Sequence, residues 1–209
     1  MARAPSRIGR REIVAAALGI LERTGIDGLT MRRLGEEMGV QGAAFYHHFR
    51  DKSEILRAVA RYAVAEIDVP PPGRFGSWQD WVVALAGNYR AMLVARPYIA
   101  PLLLDGHLPR NSLPVHAIER EHLTRAGIPP EHHEMVFDAL EAFVLGSAMV
   151  ESSRRNTSQE TGGWAQARPG VDAAIKAARD FDIGLRVLLD GLIDRLRIDG
   201  PGVEPGEVG

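Results

Sequence analysis

The chain has 209 residues, 45% of them hydrophobic, a formal net charge of −2 and no cysteine. That length and composition suffice for one or two buried cores, and the lack of cysteine excludes disulfides, thiolate zinc sites and a cysteine nucleophile. No apolar run reaches the roughly 20 residues of a membrane span, and no apolar leader segment follows Arg3, Arg7, Arg10 and Arg11, so the sequence predicts a cytoplasmic protein with no membrane association.

Residues 10–24 carry Ile13, Val14, Ala17, Leu18, Ile20 and Leu21 as one apolar stripe, the pattern of an amphipathic helix that Gly25 ends. A second helix starts at Thr30, whose hydroxyl can cap the free N–H of Arg32 or Arg33, with Leu29 and Leu34 at the two positions of a hydrophobic staple. Met31, Leu34 and Met38 share its inner face, and Gly39 supplies the left-handed residue that stops it. Val40 plugs back into the core, and a third helix over about 41–48 follows. Two short helices around such a tight turn form a helix-turn-helix, which aims its second helix into the major groove of DNA.

Candidate contacts follow from this geometry. Gln41, Gly42, Ala43 and Ala44 front the recognition helix, where a glutamine can pair with an adenine edge and an alanine methyl can meet a thymine methyl. Asp51-Lys52-Ser53-Glu54 has the form of a capping box, which puts Lys52 in the first turn of a further helix, where the helix dipole also draws a phosphate. Lys52, one of only two lysines in the chain, is therefore assigned to a DNA phosphate. The arm at residues 2–11 is placed to lie on the duplex.

Leu29, Thr30, Arg32, Leu34, Gly39, Val40, Phe45, Tyr46, His48, Phe49 and Lys52 stand at the spacing of a known pattern, and this stretch resembles the DNA-binding domain of the tetracycline-repressor (TetR) family of bacterial regulators. The resemblance covers about the first sixty residues. It implies that Tyr46 gives its hydroxyl to a phosphate, that His47 flanks the DNA backbone, that His48 is structural, and that Phe45 and Phe49 are core. It also implies that Arg32 reaches a guanine edge or a phosphate. Gln41 departs from the pattern, which often has a capping serine or threonine there; either water caps the helix or Gln41 is freed to read a base.

Charge is divided unevenly. Residues 1–61 hold eleven Arg and Lys against seven Asp and Glu, whereas residues 62–209 hold fourteen against twenty. A basic head on an acidic body presents the right surface to a polyanion, because phosphate neutralisation supplies most nonspecific DNA affinity.

The helix from Asp51 runs on through Ile55, Leu56, Val59, Ala60 and Ala63 to about 67, and Pro70-Pro71-Pro72-Gly73 marks a junction over residues 68–76. Ser77 caps the next helix, which continues through Val82, Leu85, Ala86, Tyr89 and Leu93 to about 96. Short helical pieces are expected around 98–104 and 112–126, then long helices over 130–151 and 171–198, with a mobile loop at 152–170 between them and a disordered tail at 200–209. There is no alternating strand pattern. The expected architecture is all-α: a helix-turn-helix domain over 1–67, its motif at about 30–49, and a helical ligand-binding and dimerisation domain over 77–199.

Both long helices carry an apolar stripe longer than one neighbour needs. Val136, Leu140, Phe143, Val144, Ser147 and Val150 share a face of the first; Phe181, Leu185, Leu188, Leu189, Leu192, Ile193 and Leu196 share a face of the second. Gly146, Gly184 and Gly191 each cost about 1 kcal/mol against alanine, tolerable where helices approach closely. The strings at 143–146 and 181–192 resemble the C-terminal domain of tetracycline-repressor-type proteins, which implies a four-helix bundle between two subunits. The interface residues so assigned are Val136, Phe143, Ser147, Val150, Leu185, Leu188, Leu189, Leu192, Ile193 and Leu196. Two heads on a two-fold axis bind a pseudo-palindromic operator with half-sites about 34–36 Å apart.

An effector that favours a mismatched head spacing lowers operator affinity, and linkage makes that effect reciprocal. The sequence therefore predicts a ligand-responsive repressor released by a small organic molecule, with pocket residues Tyr89, Met92, Leu103, Phe137, Leu140 and Glu141. No cofactor is expected. Leu103 stands where tetracycline-binding relatives carry a metal-coordinating histidine, so a magnesium-dependent drug site is not implied. A metal-sensing alternative would use His116, Glu119 and His122, or His132, His133 and Glu134. An all-helical metalloenzyme would need a second Glu-x-x-His beside the one ending at His122, and the sequence has none.

Overall fold

In the computed structural model the described residues are 9–40, 45, 47–105, 115–160 and 171–196, and all their regular structure is helical. Gln41 to Ala44, the base-reading front of the predicted recognition helix, and Tyr46 lie outside them, as do residues 2–8 of the basic arm, residues 161–170 of the predicted loop and the C-terminal tail.

Helix α1 (Arg10–Gly28) buries Ile13, Val14, Ala17, Ile20 and Leu21, the predicted stripe less the half-buried Leu18. Gly25 breaks it as expected (φ 67°, ψ −173°), but one further turn follows before Leu29. Helix α2 (Met31–Met38) starts as its sequence dictates, with the Thr30 hydroxyl accepting the Arg33 N–H at 3.1 Å and Leu29 and Leu34 buried together. It stops at Gly39, whose φ of 68° lets the Val40 N–H reach back to the Gly35 carbonyl at 3.0 Å. A Cβ at that φ is strained, so Gly39→Ala is expected to lower stability by about 1 kcal/mol in thermal unfolding followed by circular dichroism.

Helix α3 (Lys52–Ala65) is capped by Asp51, whose Oδ1 accepts the Glu54 N–H at 2.8 Å. The reciprocal bond of the capping box is shifted by one residue: Glu54 Oε2 accepts the N–H of Arg50 at 2.8 Å. After a single 3-10 turn at Pro72–Arg74 come α4 (Trp78–Ala95), α5 (Ile99–Leu104), α6 (Val115–Arg125), α7 (Pro130–Glu160) and α8 (Val171–Leu196). Ser77 caps α4 through the Asp80 N–H at 3.1 Å. Helix α7 outruns its predicted end by nine residues, because Ser152 to Glu160 are polar without being helix breakers; the first glycines come at 162 and 163.

Two compact units divide the chain, and neither is contiguous. The first takes the described residues within 1–68, 88–112 and 148–153; the second takes those within 69–87, 113–147 and 154–209. In the first, α1–α3 pack with the end of α4 and with α5 around Ile13, Ile20, Leu34, Phe45, Ile55 and Val59. Polar clasps join these pieces: Arg96 to Glu66 at 2.6 Å, Asn88 Nδ2 to the Asp68 carbonyl at 2.8 Å, and the largely buried pair Arg90 and Glu151. In the second, Trp81 is fully buried and donates its indole N–H to the Pro70 carbonyl at 2.7 Å, which fixes the proline-rich junction. Arg186 of α8 bonds Asp80 at 2.7 Å and Asp182 at 3.0 Å.

Candidate functional site

The cap geometry of α2 sets out the side of the head to which the sequence reading assigned DNA contacts. Thr30 is exposed at the N-terminus of α2 with its hydroxyl already used as the cap. Arg32, with 86% of its side chain exposed, pairs with Glu36 one turn on, at 3.1 Å. Such a surface pair is worth at most about 1 kcal/mol, so the guanidinium is easily redirected to a phosphate or a base. Arg33 is exposed beside it, a cation that sequence reasoning treated only as a capped N–H. Past the undescribed residues, His47 is exposed, His48 half-buried and Phe49 buried. The Phe45 carbonyl accepts both the His48 and Phe49 N–H groups at 2.8 Å, closing a tight turn at the exit of the recognition segment.

Lys52 has a partner within the chain. Its amine donates to the Ile26 carbonyl at 2.8 Å in a part-buried contact, across 26 residues of chain. The neighbouring Glu54 carboxyl is held below its usual pKa by the Arg50 N–H and then by the charge of Arg10. Further along α3, Glu66 is lowered by the Tyr62 hydroxyl and then by Arg96. On the loop before α5, burial and the nearby Glu22 push the Tyr98 phenol up to about 12.

The predicted effector residues fall in different places. Tyr89, Met92 and Leu103 are half-buried in the first unit; Phe137, Leu140 and Glu141 are half-buried in the second. Phe137 has polar company that the apolar pattern did not single out. His116 lies with its ring 5.3 Å from that of Phe137 and its Nδ1 2.8 Å from Glu119, while the Arg120 guanidinium sits 5.8 Å over the Phe137 ring. Periodicity on α6 could have found this face, since His116 and Glu119 are three residues apart.

Of the residues weighed as metal ligands, His116 and Glu119 meet as a pair, while the His122 ring stacks on Trp78 and lies tilted against Trp81, and His133 Nε2 bonds the Ile128 carbonyl at 2.9 Å. Among the described residues no group of three His, Asp or Glu side chains could hold a metal ion. Nor is any described helix long and apolar enough to cross a membrane.

The predicted association stripe is largely spent inside the subunit. Val136, Leu185, Leu189 and Ile193 are buried, and Phe143 stacks on Phe181 with ring centroids 5.5 Å apart. A Cβ on Gly184 would stand 2.8 Å from the Phe143 ring, so this glycine serves packing of α7 against α8 within the chain. Ser147, Leu188, Leu192 and Leu196 are half-buried, and Val150 is exposed. Apolar surface is left at Val150 and, off the stripe, at Met135 and Met149 on α7 and at Ile175, Ile183 and Val187 on α8.

Residues 13–59, from α1 to the middle of α3, match the sequence profile of the bacterial regulatory proteins of the tetR family. Beyond that head, the chain is 28% identical over 203 residues to the tetracycline repressor protein class A from transposon 1721 of Escherichia coli, covering 90% of this chain and 94% of that one. The head of this chain is a DNA-binding domain of the tetracycline-repressor (TetR) type. Among solved structures, the TetR-family protein ActR of Streptomyces coelicolor in complex with (S)-DNPA aligns with a TM-score of 0.68 at 27% identity, over 90% of this chain and 98% of that one. ActR in complex with actinorhodin aligns with a TM-score of 0.70 at 25% identity, over the same shares. The protein is a ligand-responsive DNA-binding regulator of transcription, not an enzyme, and its capped α2 and Gly39 turn are the described part of its helix-turn-helix.

Proposed function

We propose that the protein is a cytoplasmic, homodimeric repressor that binds a pseudo-palindromic operator and is released by a small organic effector. The observation that carries this reading is similarity to a tetracycline repressor along nine-tenths of the chain, head and body together. On the DNA side, Thr30, Tyr46 and His47 are the proposed backbone contacts and Arg32 a contact to a phosphate or a guanine edge, with Gln41 to Ala44 reading bases. Specificity drawn from so few side chains requires two heads at a fixed spacing.

The dimer is proposed to form through α7 and α8, which keep exposed apolar side chains that a lone subunit would leave in water. Gly146 and Gly191 have nothing within 4 Å of a built Cβ, so a partner helix can approach there. For the effector, the half-buried His116, Glu119, Phe137, Leu140 and Glu141 offer aromatic surface with hydrogen-bonding groups beside it. That chemistry suits a flat organic molecule carrying hydroxyl or carbonyl groups, and ActR has been solved with two small molecules.

Operator selection with the purified protein, followed by titration of affinity against salt, tests the reading. Arg32→Ala is expected to lower operator affinity about tenfold; if Arg32 bonds a phosphate, the salt slope falls by about one, and if it reads a base, specificity relaxes at that position. Tyr46→Phe removes one neutral hydrogen bond and is expected to cost several-fold, on the order of 1 kcal/mol. Unchanged affinity in both variants would remove this face from the DNA.

A further inference from the structure

Helix α2 carries its charges against its own dipole. Arg32 and Arg33 are exposed in its first turn and Glu36 and Glu37 in its last, with no acid at the start and no cation at the end. A helix is stabilised by the opposite order, so this arrangement costs α2 stability and raises the positive potential at its N-terminal end. Both acids are already taken. Glu36 pairs with Arg32 at 3.1 Å, and Glu37, which stands four residues after Arg33 on the same face, is drawn instead to Arg23 of α1 at 2.7 Å. Arg10 is engaged as well, by Glu54 at 3.6 Å, by the His48 carbonyl and by the Phe49 ring. Arg33 forms no ion pair among the described residues, and its Nη1 lies beside the turn into α2, 3.5 Å from where a Cβ on Gly28 would stand.

We propose that Arg33 is a ligand of the DNA backbone and that Arg23 is a positioning residue, which holds Glu37 away from it. The proposal rests on the DNA-binding reading of this head. In a helix-turn-helix the first helix crosses the duplex backbone, and α2 is that helix here. A guanidinium with no acid beside it gives up no ion pair when it meets a phosphate, whereas Arg32 must first leave Glu36. Without the Arg23 bridge, Glu37 would fold onto Arg33 at the i, i+4 spacing and cancel the charge offered to DNA.

A cycle of variants in the full chain tests both halves: Arg33→Ala, Arg23→Gln and the two together. Each is titrated with the selected operator and with an unrelated duplex across a salt series, alongside thermal unfolding. Arg33→Ala is expected to weaken binding to both duplexes in parallel, by about tenfold, and to lower the salt slope by about one at an unchanged melting temperature. Arg23→Gln is expected to weaken both several-fold while Arg33 is present and to add nothing to Arg33→Ala. Adding Glu37→Gln to Arg23→Gln should restore the loss. If Arg33→Ala leaves affinity and slope unchanged, or weakens the operator alone at an unchanged slope, Arg33 is not a backbone ligand and the proposal fails. An equal cost of Arg23→Gln with and without Arg33 would make Arg23 a ligand in its own right and end its positioning role. Losses that travel with a lower melting temperature would trace to the folding of the head and overturn both assignments. If the unaltered protein shows no salt-dependent duplex binding, the DNA-binding reading fails first and takes the proposal with it.

Discussion

Ile183→Asp combined with Val187→Asp is expected to give a folded monomer whose operator affinity is lower by about 10²- to 10⁴-fold, the scale on which linking two binding heads raises avidity. Both side chains lie on one face of α8, four residues apart, 51% and 67% exposed in the single chain. Phe181, Leu185, Leu189 and Ile193 fill the opposite face and hold α8 to its own subunit. An aspartate at 183 or 187 therefore meets water in the monomer and costs within about 0.5 kcal/mol of fold stability. In a helix–helix interface the same carboxylates would be desolvated at the cost of association. Sedimentation or size-exclusion measurements with operator titration check both halves of the expectation. A variant that stays dimeric with full affinity would move the subunit interface off this face.

Trp81→Ala is expected to be the most damaging single substitution in the second unit, costing about 3–5 kcal/mol. The indole is fully buried, its ring centroid 5.2 Å from that of His122, and its N–H occupies the Pro70 carbonyl. Truncation leaves a cavity, removes the wall on which His122 rests and frees the proline-rich junction from α4. Trp81→Phe keeps most of the ring and loses the hydrogen bond alone, so its cost should be nearer 1 kcal/mol. Urea unfolding of the two variants separates the terms. Equal destabilisation would mean that the bond to Pro70, rather than packing, is what the residue supplies.

What could be read from the chain depended on how far apart the interacting groups are. The Thr30 cap, the Leu29 and Leu34 staple, the Gly39 stop and the Asp51 cap were all legible, because each joins a side chain or a backbone conformation to atoms three to five residues away. Glu54 was read as closing its box on Asp51 and closes it on Arg50 instead, a slip of one residue that the sequence pattern cannot register. The end of α7 was misplaced for a different reason: low hydrophobicity was taken for a loop, although polar residues propagate a helix when no glycine or proline intervenes.

Sequence by itself determined the all-helical architecture, the helix-turn-helix head and the likeness of that head to the TetR family, since these rest on local caps, turns and periodic stripes. Tertiary structure decided which apolar face of α7 and α8 turns inward, where the amine of Lys52 goes and what Arg10 grips. A stripe states that a helix buries a side without saying against what. A cation's partner 26 or 38 residues away is chosen by the packing of α1 against α3, which no spacing along the chain encodes.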